Sequence, residues 1–152
     1  MSPLLHTTLL LLHLLGAIVW IGGMFFAHYC LRPAAVETLE PPKRLPLMEA
    51  TLRRFFRYVA ASVLALLGTG FALFLPVSIH RAPIGWHIMF ALGIVMALVF
   101  MYIWVVLYPR LREHCATTAW PLAGQILNSI RRLVALNLVL GLCTVVAAVS
   151  AR

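Results

Sequence analysis

Apolar residues in this chain neither alternate nor return at every third or fourth place. They run on almost unbroken for about twenty positions, four times over. The runs cover roughly residues 4–29, 55–77, 85–108 and 133–150, and clusters of charge separate them. A helix needs about 20 residues to cross a ~30 Å hydrocarbon core. In lipid each backbone polar group must be satisfied within its own segment, so these runs predict helices. The expected fold is all-α: a four-helix transmembrane bundle formed as a single domain over residues 1–152. Prolines mark expected ends. Pro3 and Pro83 suit first-turn positions, and Pro33 and Pro109 follow the exits of the first and third spans. Residues 36–54 read as a loop whose Pro41 and Pro42 stop a helix, with a new helix starting near Leu45 and running into the second span. Residues 115–132 read as a loop with a short interfacial helix after Pro121.

Composition agrees. Hydrophobic residues make up 63% of the 152, and the mean hydropathy is +1.00. A soluble domain of this length has too little interior to hide so much apolar surface. The first run lacks a basic leader and a small-residue cleavage site, so it is expected to stay as the first span. The formal charge of +8 would suggest nucleic acid in a soluble protein. Here the cations flank the apolar runs, which points to a lipid bilayer as partner and not to nucleic acid. Arg32, Lys43, Arg44, Arg53, Arg54 and Arg57 lie between the first two spans, and Arg110, Arg112, Arg131 and Arg132 between the last two. Only Arg81 and Arg152 fall on the other side. The positive-inside rule then puts both termini on the periplasmic side of a bacterial inner membrane. Cys30, Cys115 and Cys143 show no disulfide spacing.

No Asp, Glu, Lys or Arg lies deep in a span, which disfavours a carboxylate proton relay. Histidine remains. His6, His13, His80 and His87 fall towards the periplasmic side, and His28 and His114 at the other. An imidazole in lipid is costly without a strong partner, and iron, copper or zinc is the partner with the largest return. His13 stands 19 residues before Arg32 and His87 stands 23 before Arg110, a depth difference of about 6 Å. Two histidines on different helices of a bundle can clamp a haem b from both sides. His13 and His87 are therefore the expected axial ligands, with His6 as a competing metal ligand. Gly16 and Trp20 share the face of His13 and suit a flat ligand, although small residues such as Gly16 and those of "LLGTG" (66–70) equally suit helix packing. Arg81 would pair with haem propionates. Asn137 either bonds across to another helix or steadies a histidine ring. His28, Cys30, His114 and Cys115 are a soft-metal set by residue type alone, and the scattered methionines read as filler.

Four blocks, "LHLLGAIVWIGGMFFAHYCLRPA", "RRFFRYVAASVLALLGTG", "GWHIMFALGIVMAL" and "IRRLVALNLVLGL", resemble the copper resistance protein D (CopD) family. The most specific element is H-x6-W-x-G-G, here His13, Trp20, Gly22 and Gly23, followed by G-W-H at 85–87. The pattern is also similar to the related bacterial four-helix protoporphyrinogen oxidase family. That resemblance implies haem ligation by His13 and a porphyrin-sized slot. Those oxidases carry a lysine after the third-span histidine and an acid after the fourth-span asparagine. Here Ile88, Met89 and Phe90 follow His87, and Leu138 follows Asn137.

The expected function is thus a haem b protein of electron transfer, with a quinone, superoxide or a porphyrin as small redox partner. A second copy of the chain is a further partner this reading allows. The alternative is a copper-handling transporter using His6, His13, His80 and His87. Protoporphyrinogen oxidation and a purely structural role are further readings.

Overall fold

The computed structural model describes residues 1–77 and 82–150. Four long helices account for nearly all of them: α1 (Pro3–Thr38), α2 (Pro41–Phe74), α3 (Ile84–Ala116) and α4 (Trp120–Ser150). No strand occurs among the described residues. Each helix is 31 to 36 residues long and carries an apolar stretch sufficient to cross a bilayer, so this is a multi-pass membrane protein.

The helices outrun the apolar stretches that predict them. The expected loop 36–54 is nearly all helix: only Leu39 and Glu40 link α1 to α2. Pro41 and Pro42 open α2 rather than merely stopping α1, because a first-turn residue has no use for the N–H that proline lacks. Pro121 likewise sits in the first turn of α4, which continues without a break to Ser150 in place of a separate interfacial helix. Pro3 is in the first turn of α1, where the Ser2 hydroxyl accepts a hydrogen bond from the Leu5 N–H at 3.3 Å. Pro83 caps α3.

Pro33 and Pro109 do not end their helices. A five-residue π-helical turn precedes each, Ala27–Leu31 before Pro33 and Ile103–Leu107 before Pro109. The wider turn relaxes the clash between a proline ring and the carbonyl one turn back, so the helix continues past it. A third π turn, Ile18–Gly22, buries Trp20.

The α3–α4 link contains Thr118 at φ 55°, in the left-handed region. A β-branched residue is strained there by about 1–2 kcal/mol. Thr118→Gly is therefore expected to raise the unfolding midpoint in detergent, with a gain of up to about 1 kcal/mol. An unchanged or lowered midpoint would show the link is unstrained.

α1 packs along α2, and α3 along α4, as two antiparallel hairpins. Gly16 lets α1 approach α2: a Cβ there would lie 3.1 Å from Leu66 Cγ and 3.3 Å from the Ser62 carbonyl oxygen. Asn137 ties α4 to α3 by donating from Nδ2 to the Met96 carbonyl at 3.1 Å. The hairpins meet at the basic end. Phe56 of α2 packs edge-on against Phe100 and Tyr108 of α3, with ring centroids 5.7 and 5.6 Å away. The Tyr108 hydroxyl donates to the Glu49 carboxylate at 2.7 Å. Val59, Ile103, Leu111 and Ile130 complete this buried core. Towards the end that carries the termini, Phe71 and Phe74 of α2 meet Trp86, His87 and Phe90 of α3, and a cavity lies between the hairpins.

Candidate functional site

The cavity has a volume of about 260 Å³ and takes side chains from all four helices. Its wall is almost wholly apolar and aromatic. Among the described residues His13 of α1 is the one titratable side chain on it, and Met89 and Met96 of α3 supply two thioethers. Trp20, which is 4% exposed and packs edge-on to Phe100, closes the side nearest the core.

α2 holds the His13 ring in place. Thr69, buried, lies 2.9 Å through its Oγ1 from His13 Nδ1. The Thr69 hydroxyl donates its own proton to the Ala65 carbonyl, so Oγ1 can only accept from the ring. This chain of bonds assigns the proton to Nδ1 and leaves Nε2 with its lone pair. Gly70 stands beside the ring, where a Cβ would come 3.4 Å from His13 Cε1. An oriented, neutral imidazole in an apolar chamber is the usual form of a metal-ligating histidine, with Thr69 as its orienting partner.

His87 is on α3 but not on the cavity wall. Its Nδ1 faces the Pro83 carbonyl at 3.3 Å, and its ring stands edge-on to Phe74 at 5.7 Å. Phe74, one turn beyond Gly70 on α2, does line the cavity. The two imidazoles are thus at successive turns of α2, in keeping with the four-residue offset in depth.

The remaining sequence candidates disperse. Gly16 serves the α1–α2 contact, the packing role of the two open to it. Asn137 bonds a backbone carbonyl and no histidine; its Oδ1 is buried without a partner. His6 is exposed. His80 and Arg81 lie outside the described residues. At the basic end, His28 is half-buried with an unpartnered Nδ1, Cys30 is exposed, and His114 and Cys115 are half-buried. Among the described residues no three His, Cys, Asp or Glu side chains converge as a metal site.

Sequence reasoning missed Thr69, Met89 and Met96. Thr69 was in view inside "LLGTG", where its neighbours drew attention as packing glycines. The methionines carry no spacing signal, because Met89 and Met96 are seven residues apart on a helix that is apolar on every side.

A family profile described as Copper resistance protein D matches residues 49–151, more than half of the chain. The match spans all but the first turns of α2, with α3 and α4, and includes Thr69, Met89 and Met96. The block that carries His13 and Trp20 precedes it. No curated protein and no solved structure matches the chain.

Proposed function

The chain belongs to the copper resistance protein D family, and from that premise we propose that it handles copper within the membrane, accepting Cu(I) as cargo in the cavity between its two hairpins. The observation that carries this reading is the pinned His13 ring facing a chamber whose other donors are the thioethers of Met89 and Met96. Thioether and imidazole are soft to borderline ligands that suit Cu(I) and bind hard cations poorly. Neutral donors also leave a monovalent ion only weakly held, which suits a site that must release what it takes. By the positive-inside rule the cavity lies in the periplasmic half of an inner membrane, so copper would enter from that side.

The test is a titration of detergent-purified protein with Cu(I) against a coloured Cu(I) chelator, followed by X-ray absorption at the copper edge. One ion per chain with nitrogen and sulfur neighbours is expected. Met89→Leu with Met96→Leu conserves side-chain volume. The double variant should fold as the wild type does and lose the sulfur scattering, with affinity reduced about tenfold or more. Equal affinity and an unchanged edge spectrum would remove the methionines from the site.

A haem b bound through His13 is the second reading, favoured by the aromatic wall of Trp20, Phe74, Trp86 and Phe90. Bound haem would supply one-electron transfer. The arrangement fits a two-sided clamp poorly, because His87 is off the wall, and a chamber of about 260 Å³ is small beside the ~300–1,000 Å³ of typical organic-ligand sites. An absorption spectrum of protein made with ample haem separates the readings. A Soret band lost in His13→Ala would establish haem, and a featureless visible spectrum would leave copper.

A further inference from the structure

A second cavity lies at the opposite, basic end, where the last turns of α1 meet the first turns of α2 and α4. It measures about 160 Å³. Arg32 of α1 and Arg44 of α2 line it, with Asn128 of α4 beside them and Leu45 and Met48 forming an apolar base. Arg131 stands one turn after Asn128 on α4. Arg131 and Arg44 are both close enough for their charges to act on Arg32. None of the four acids of the chain lines the cavity.

Two guanidinium groups from two helices therefore share one void that no acid of the chain lines, and the charge of Arg131 on a third helix acts on Arg32 as well. Solvated arginines on a surface would spread apart, since like charges at short range repel. Here Arg32 and Arg44 are both half-buried, and the fold keeps them together. The planar guanidinium fork matches the oxygens of a phosphate, and several forks around one phosphate give charge-assisted, often bidentate hydrogen bonds. The site also sits where the apolar stretches of α1 and α2 give way to charge, at the depth of lipid headgroups. Basic pockets between transmembrane helices are suited to anionic lipid heads.

We propose that the pocket lined by Arg32, Arg44 and Asn128, with the charge of Arg131 close by, binds a phosphate group, carried by an anionic phospholipid head or free in solution, and so couples α1 to α2 and α4 at the basic end. The proposal is independent of the copper reading, which concerns the other end of the bundle.

The test uses full-length protein purified in mild detergent, as wild type, Arg32→Gln/Arg44→Gln, and Arg110→Gln as a control at an exposed arginine outside the pocket. Native mass spectrometry after exchange into mixed micelles compares phosphatidylglycerol with phosphatidylcholine. In parallel, the unfolding midpoint is followed against inorganic phosphate. Retention of one phosphatidylglycerol per chain by wild type and Arg110→Gln, reduced at least about tenfold in the double variant, identifies a lipid head. A midpoint that rises with inorganic phosphate in wild type and Arg110→Gln alone identifies a free anion. The proposal is overturned if wild type shows neither preference, or if the double variant matches wild type, or if Arg110→Gln loses binding as the pocket variant does.

Discussion

His13→Ala is expected to lower Cu(I) affinity by more than about 100-fold while leaving the unfolding midpoint close to that of the wild type. Among the described residues the ring is the one imidazole on the cavity wall, and its Nε2 lone pair is set by the bond from Nδ1 to Thr69. Removing it leaves two thioethers, a set that binds Cu(I) only weakly. Thr69→Val is the more telling companion. Valine fills the same volume but cannot accept from Nδ1, so the ring loses its fixed tautomer and orientation. Losing an orienting partner of a metal-ligating histidine commonly reduces affinity about 10- to 100-fold. Chelator competition on both variants reads the two effects separately. If His13→Ala binds Cu(I) as tightly as wild type, the cavity is not the copper site. If His13→Ala fails but Thr69→Val does not, the imidazole binds without the preorganisation inferred from the Thr69–Ala65 bond.

The largest effect on stability is expected at Phe56. This side chain is 2% exposed and joins the two hairpins through Phe100 and Tyr108. In a soluble core, Phe→Ala costs about 3–5 kcal/mol, part of it from lost transfer out of water. Helices already in lipid gain little from that transfer, because acyl chains are as apolar as the core, and association rests on packing. The expected loss for Phe56→Ala is therefore nearer about 2–3 kcal/mol, and it should separate the hairpins without unfolding the individual helices. Circular dichroism should hold while crosslinks between α2 and α3 at the basic end are lost. A loss under about 1 kcal/mol would mean that the hairpins are held mainly elsewhere, for instance by the Tyr108–Glu49 bond between them.

The number of helices and their place in a membrane were legible in the chain because each apolar run is a local property. Twenty uncharged positions must be a helix in lipid wherever the rest of the protein lies. Helix ends were less legible. Pro33 and Pro109 read as terminators, yet π turns carry both helices past them. Pro41 and Pro121 open helices that the charged, mixed composition disguised as loops. The cause is the same in each case: beyond the hydrocarbon core the backbone has water as well as helix partners, and hydropathy stops reporting which it takes.

For the site, sequence alone singled out His13, since an imidazole within an apolar run needs a partner. It preferred His13 with His87 over His6 on depth alone, and depth counted along separate helices says nothing of their rotation or of the gap between them. The tertiary structure puts His13 on the cavity wall, leaves His87 off it and His6 exposed. The bulky rings of Phe56, Phe100 and Tyr108 hold the hairpins together at the basic end, while Gly16 draws α1 onto α2. Between those rings and the contact of Phe74 with Phe90 nearer the termini, the hairpins leave the cavity. Met89 and Met96 become candidate ligands only there, and Thr69 an orienting partner, because each is an ordinary membrane residue until the packing of four helices brings the thioethers to one wall with His13 and sets Thr69 against its ring.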